Sequence, residues 1–386
     1  MIYRFLPTAA CLLLTVTMTG CAMLTHPRTH AMGQLDTAAD LPDDGYEDRV
    51  GVIHIHTTYS HDAHGKLEDV MRVANAQRLD YVIITEHNTL QPLRDGWQGW
   101  HGASLLLVGM EISAKDGHYL AFNVTQEIDR ERLTTQQVID AVNRQGGFGF
   151  IAHPYFKRAP WRNWSVSSVT GIEGYNVAHD TLDEHWVRLG LWLLTTPAEP
   201  FYYSIIDRPY DPLAAWDALI RRQGRAVGIG STDAHEIRVL GVKIPPYEHM
   251  FQLVRTHVLT PPGPLTPEQI YAALTQGHTY FSVELAAQAG GFTFLAQRDN
   301  TILGVMGDEV PFGPDLQLVA WLPGAAELVL VKDGRAVDRT TGRRWTIPVT
   351  APGTYRLEAM RHGKPWIFSN PIYVRPAGER VDSPKH

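Results

Sequence analysis

The run Val50-Gly51-Val52-Ile53-His54-Ile55-His56, continued by Thr57-Thr58-Tyr59-Ser60-His61-Asp62, decides how this chain is read. Its first half is apolar and β-branched, as suits a strand buried on both faces. Its second half turns polar and rich in histidine. The same change recurs downstream: 81–85 runs into Glu86-His87, 105–109 into Met110-Glu111, 148–152 into His153, and 226–230 into Ser231-Thr232-Asp233-Ala234-His235. Between these runs lie helical stretches at 67–77 and 135–144, the second closed by Gly146-Gly147. Continuous apolar strands alternating with helices predict an α/β fold, a parallel sheet covered by helices that can close into a barrel.

In such folds ligand sites form outside the carboxyl ends of the strands. Five strands then deliver His, Asp or Glu to one rim. Imidazole and carboxylate are ligands for divalent Mn, Zn or Fe. In His54-Ile55-His56 both rings are expected on one side of a strand, because side chains alternate with period two. Asp233-Ala234-His235 repeats the spacing with mixed ligands. A structural zinc site needs four ligands. The nine candidates His54, His56, Asp62, Glu86, His87, Glu111, His153, Asp233 and His235 predict two or three ions with open coordination positions.

These motifs resemble the polymerase and histidinol phosphatase (PHP) superfamily in order and spacing: His54 to Asp62, Thr85-Glu86-His87-Asn88, Gly109-Met110-Glu111, Ala152-His153-Pro154 and Ser231 to His235, over about residues 47–285. The resemblance implies a distorted (β/α)7 barrel. It also implies one ion on His54, His56, Glu111 and Asp233, a second sharing Glu111 and adding His153, and a third on Asp62, His87 and His235. His118, in Asp116-Gly117-His118, stands where some members place a further ligand for the second ion. The histidinol phosphatase branch tends to carry His at the position of Asp62, whereas His61 is expected exposed. Glu86 and Asn88 are expected to orient His87. His54, His56, Glu111, Asp233 and His235 are the residues assigned to catalysis.

The reaction expected is hydrolysis of a small phosphate mono- or diester by hydroxide held on the ions. The alternatives are a carbamate, amide or carboxylic ester, or an envelope binding protein without turnover. The sequence has no G-x-S-x-G elbow for a serine nucleophile. Lys157, Arg158 and Arg162 are candidates to pair with a substrate phosphate, against a reading as a solvated loop beside Trp161 and Trp164. His179 is a candidate proton donor. Arg221, Arg222 and Arg225 read as the charged end of a helix.

Beyond about residue 286 helical periodicity ends. Short strands at 316–321, 327–331, 346–349, 354–361 and 372–374, with turns at Leu322-Pro323-Gly324 and Ala351-Pro352-Gly353, predict a small all-β, sandwich-like module over 286–378, ending in a tail at 379–386. Trp345 and Trp366 suit either a core or a carbohydrate surface. The segments Pro352 to Arg356 and Pro365 to Val374 resemble the ending of exported PHP proteins grouped with carbaryl-type carbamate hydrolases.

At the other end, Arg4, the apolar run 6–18 and Thr19-Gly20-Cys21 have the layout of a secretory signal over residues 1–20. The site resembles a bacterial lipobox, with Cys21 lipidated and Ala22 favouring the outer membrane. An ordinary cleaved signal or a retained anchor helix are the alternatives. Residues 21–46 lack periodicity and read as a tether. The two cysteines are Cys11 and Cys21, so the body beyond them has no thiol for a nucleophile, disulfide or Cys-type zinc site. Export without disulfides predicts a bacterial envelope, periplasmic location. The net charge of −7 argues against a nucleic-acid polymer as partner.

Overall fold

The computed structural model describes residues 43–177, 198–239, 242–376 and 378; Cys21, His179 and the tail lie outside the described residues. Among the described residues no helix is long and apolar enough to cross a membrane.

The apolar run that opens the argument forms β1 (Glu47–Ile53). It is followed by α1 (Leu67–Ala76), β2 (Tyr81–His87), the short α2 (Gln91–Arg94), β3 (Gly99–His101), β4 (Ser104–Ala114), β5 (Gly117–Phe122), α3 (Thr135–Arg144), β6 (Phe148–Ile151) and β7 (Gly171–Asn176). Next come α4 (Ala198–Ile205), α5 (Tyr210–Gln223), β8 (Val227–Ser231), β9 (Ile237–Val239), β10 (Val242–Ile244), α6 (Tyr247–Met250), β11 (Val254–Thr260), α7 (Pro267–Gln276) and β12 (Thr279–Val283). The continuous apolar runs arise because both faces of these strands are covered. Ile53, Ile83, Leu107, Phe150 and Ile229 pack into one core. Their neighbours Val52, Val82, Ile84, Leu106 and Val108 pack into another with Val70, Val73 and Val138 of α1 and α3. α3 begins with a capping box between Thr134 and Gln137, which sets its start where the sequence places it.

The sheet is mixed rather than parallel, which corrects the expectation. β1–β2, β2–β4, β6–β7 and β7–β8 are parallel pairs. β1–β11, β4–β5 and β5–β6 are antiparallel. The cause at β5 is local. Ala114 pairs with Gly117 across a two-residue turn, far too short for a parallel crossover of about a dozen residues. Gly117 takes φ +134°, which a side chain rarely adopts. At the seam between β8 and β11 no backbone ladder forms among the described residues. Thr256 Oγ1 instead donates to the Gly230 carbonyl at 2.6 Å and accepts from Gly230 N–H at 3.1 Å.

The chain continues as β13 (Thr293–Arg298), β14 (Thr301–Val305), β15 (Glu309–Pro311), β16 (Gln317–Lys332), β17 (Arg335–Pro348), β18 (Gly353–Arg361), β19 (Lys364–Ser369) and β20 (Ile372–Arg375). Leu322-Pro323-Gly324 is not a turn between strands. It lies within the long β16, where the register to β17 shifts between Trp321 and Ala326. Proline lacks a ladder donor, and the irregularity absorbs it. Trp366 is core rather than surface: it is fully buried and donates its indole N–H to the Ala287 carbonyl at 2.7 Å. The β12–β19 ladder joins this part to the preceding sheet, with Phe281 stacked on Phe368. A buried ion network adds a tie, Arg356 lying between Asp217 of α5 and Glu358 of β18.

Candidate metal centre

The carboxyl ends of β1, β2, β6 and β8 and the β4–β5 hairpin meet at one place. Glu111 of β4 is its centre. Its Oε2 lies 3.3 Å from His54 Nε2, 3.1 Å from His56 Nε2 and 3.1 Å from His87 Nδ1. Its Oε1 lies 2.6 Å from His118 Nδ1 and 2.9 Å from His153 Nε2. Asp233 Oδ1 faces His54 and His56 at 3.3 and 3.4 Å, and His235 Nδ1 at 3.5 Å. Asp62 Oδ2 faces His87 Nε2 at 3.2 Å and His235 Nε2 at 3.6 Å. All nine residues assigned to metal binding are thus in one cluster. His118 is there because the tight hairpin returns β5 alongside β4. His61 has a side chain 80% exposed, as expected.

His54 and His56 converge for a different reason from pleat alternation. β1 ends at Ile53, and His54 takes φ +67°. Ile55 then bridges to Ala234, and His56 N–H donates to the Ala234 carbonyl at 2.9 Å, so the pair is held against the Asp233–His235 turn. Asp233 also has positive φ, at +50°. Such conformations in non-glycine residues are disfavoured and persist only where surrounding contacts enforce them.

Three imidazoles have their tautomer set by the groups behind them. His54 Nδ1 lies 2.6 Å from a Glu173 carboxylate oxygen, which can only accept, so a proton stays on Nδ1 and Nε2 is the nitrogen that would offer its lone pair to a cation once its own proton is displaced. Ser60 Oγ donates its one proton to Glu86 at 2.5 Å, so it faces His56 Nδ1 as an acceptor, with the same result. His235 Nδ1 donates to the Asp233 carbonyl at 2.9 Å. Glu86 therefore does not orient His87 directly. It accepts from Thr57 and Ser60 and braces the turn after His56. Asn88 exchanges hydrogen bonds with Ser113 and fixes the end of β4.

Glu173 of β7 was not among the residues singled out from sequence. It is buried, accepts from His153 N–H at 2.6 Å as well as from His54, and receives Asn176 Nδ2 at 2.9 Å. The signal was available: a carboxylate on an apolar strand between the strands of His153 and Asp233.

Burial opposes charge throughout the cluster, and the opposite charges outweigh it. Asp233, Glu173 and Glu111 raise His54 well above the ordinary imidazole range, and Asp233 and Glu111 raise His56 to about 9. The histidines in turn hold Glu111 and Asp233 well below the usual carboxylate range. For His87 burial prevails, and its pKa is lowered.

Divalent cations fit these residues. His54 Nε2, His56 Nε2, His87 Nδ1 and Glu111 Oε2 are all buried without a hydrogen-bond partner, although they face one another at 3.1–3.3 Å. Each such orphan costs about 1–3 kcal/mol, and four pointing at one place are what a cation would satisfy. Ligand atoms group within 4.8 Å in four sets: His54/His56/Asp233, His54/Glu111/His153, His87/Glu111/His118 and His56/His87/His235. Lys157, Arg158 and Arg162 are exposed on the loop after His153.

The mixed sheet and its His/carboxylate rim define the class: an α/β metal-centre protein. A PHP domain matches residues 53–256, and the chain belongs to that family. Family and donor set together make it a metal-dependent hydrolase. An uncharacterized protein of Methanocaldococcus jannaschii is 26% identical over 145 residues, covering 33% of this chain and 81% of its own. Among solved structures, a two-domain protein of Bacteroides vulgatus described as containing a predicted PHP-like metal-dependent phosphoesterase is 16% identical, with a TM-score of 0.44 over 86% of this chain and 97% of its own. PsfC of Pseudomonas syringae is 14% identical, with a TM-score of 0.40 over 59% of this chain and 89% of its own.

Proposed function

We propose that this protein is a phosphoesterase with a di- or trinuclear site at the mouth of a distorted (β/α)7 barrel, acting on a small phosphate ester. The observation that carries this reading is Glu111, whose two oxygens face two different sets of imidazoles, so that each oxygen could serve a different ion. His54, His56, Glu111 and Asp233 would hold one ion, Glu111, His118 and His153 a second, and Asp62, His87 and His235 a third. When bound, the ions supply Lewis acidity for an electrophilic centre and an activated water.

The chain's own residues orient the site and open it on one side. Glu173, Ser60 and the Asp233 carbonyl keep protons on the outer ring nitrogens of His54, His56 and His235 and turn lone pairs inward. His54, His56 and Glu111 are at most 1% exposed, whereas Asp62 is 41%, so substrate enters on the Asp62 side. Arg158 and Lys157 are the cations proposed to meet its anionic group.

The test is chromophore release by the chain from Ala22 reconstituted with Mn or Zn, on an aryl phosphate, its diester and an aryl carbamate, with Asp233→Ala as control. Metal-dependent release from a phosphate, lost in the variant, is the expected result. Release from the carbamate alone would favour the branch that the C-terminal segment resembles. No turnover of any of the three with metal bound would favour a binding role.

A further inference from the structure

We propose that Tyr247 is a positioning residue that sets the occupancy of the third metal subsite, the one formed by Asp62, His87 and His235; this rests on the trinuclear form of the reading above. Tyr247 is 191 residues beyond His56 in the chain and belongs to α6, outside every motif of the family resemblance. Its ring is fully buried, and its hydroxyl donates to the His56 carbonyl at 2.5 Å.

The same hydroxyl lies against Gly65. A Cβ added there would meet Tyr247 Oη at 2.2 Å and two ring carbons at 2.3 and 2.4 Å. Gly65 is the far end of the segment that begins at His56, closed by Thr58 N–H donating to the Gly65 carbonyl at 2.8 Å. Tyr247 thus pins both ends of the loop that carries Asp62. Its own backbone N–H faces Glu236 Oε2 at 3.5 Å, and Glu236 is the buried neighbour of His235. A second link runs the same way, His64 N–H donating to the His235 carbonyl at 3.2 Å. The Tyr247 side chain therefore sits under the segment that carries Asp62, and its backbone reaches the segment that carries His235. It touches no ligand atom.

The other ligands have braces besides Tyr247: His56, whose carbonyl the hydroxyl also holds, is fixed by its N–H to the Ala234 carbonyl at 2.9 Å and by Ser60 at its Nδ1. Glu173 contacts His54 and the backbone of His153, and Glu111 is fixed in the β4–β5 hairpin. Loosening the Tyr247 contact should then release one ion and spare the others. The nearest physical precedent is an outer-shell hydrogen bond to a ligand, whose loss weakens metal binding by about 10–100-fold. Here the bond reaches the ligands through the backbone, so the lower end, about tenfold, is expected.

The experiment is metal stoichiometry by elemental analysis of the chain from Ala22, equilibrated with Mn or Zn in a graded series of chelator, with thermal melting of each sample. Tyr247→Phe should lose one ion per chain at about tenfold lower chelator than wild type, with the remaining ions released at the wild-type point. Gly65→Ala, which forces the loop and the Tyr247 hydroxyl and ring apart while removing neither a ligand nor the hydroxyl group, should reproduce the pattern if Tyr247→Phe melts too early to measure. Glu173→Gln should weaken the other ions instead. Parallel weakening of all ions in Tyr247→Phe, or wild-type retention in a folded variant, would overturn the inference. Wild-type protein that saturates at two ions would overturn the trinuclear reading, and the inference with it.

Discussion

Replacing Glu173 by glutamine is the sharpest probe of how the cluster is held. The carboxylate receives three donors: His54 Nδ1–H at 2.6 Å, His153 N–H at 2.6 Å and Asn176 Nδ2–H at 2.9 Å. Glutamine keeps the shape but has a single acceptor oxygen, so at least one donor must face an NH2 group. A hydrogen bond to a charged partner contributes about 1.5–3 kcal/mol in a buried setting. At 1.4 kcal/mol per factor of ten, that is roughly 10–150-fold in affinity. The range agrees with the roughly 10–100-fold seen for outer-shell partners of metal histidines. Loss of the carboxylate also removes one of the charges that raise His54, so its Nε2 becomes a poorer donor to a cation. We expect Mn or Zn affinity, measured by competition with a chromophoric chelator, to fall by about 10–100-fold while the circular dichroism spectrum is kept. An affinity within about twofold of wild type in a folded variant would refute the reasoning, because the tautomer would then be set by something other than Glu173.

Two further outcomes follow from the charges. In the metal-free protein His56 keeps its proton up to about pH 9, and His54 is raised as well, whereas Glu111 and Asp233 stay ionised. A cation must displace those protons, so apparent metal affinity should rise steadily from pH 6.5 towards 9 and then level. An affinity independent of pH over that interval would contradict the assignment. Away from the site, burial disfavours charge on His257, but Asp48 at 2.9 Å and Glu284 at 3.4 Å raise its pKa to about 9, with Tyr280, Ser282 and Arg255 also facing this network. A pKa raised on folding stabilises the protein fully below the unfolded value near 6.5, and that stability is lost as pH climbs through 9. The amount is of order 3 kcal/mol at most. With chelator present, the melting temperature should fall between about pH 6.5 and 9 in wild type and flatten in His257→Gln; equal slopes would show that the network carries no proton-linked stability.

What the chain determines by itself is the alternation of covered strands and helices and the residue types at the strand ends. Apolar runs such as 81–85 and 105–109 have no polar face to offer solvent, so they must lie in a sheet covered on both sides. A histidine or carboxylate at the end of such a run has nowhere to go but the rim, which made His54, His56, His87, Glu111, His153, Asp233 and His235 legible as candidates, whereas His118 was placed only by the family resemblance. Strand direction was not legible. It depends on turn length and on partners distant in sequence, and the two-residue turn at Lys115-Asp116 and the pairing of β1 with β11 are features the apolar pattern does not encode. Nor were the braces. Glu173, Ser60 and Tyr247 look like ordinary strand, loop and helix residues until the fold brings a ring nitrogen or a carbonyl within hydrogen-bonding distance of each. Ligand type is a local chemical property, whereas the proton position and backbone conformation that turn a ligand inward depend on groups up to 191 residues away.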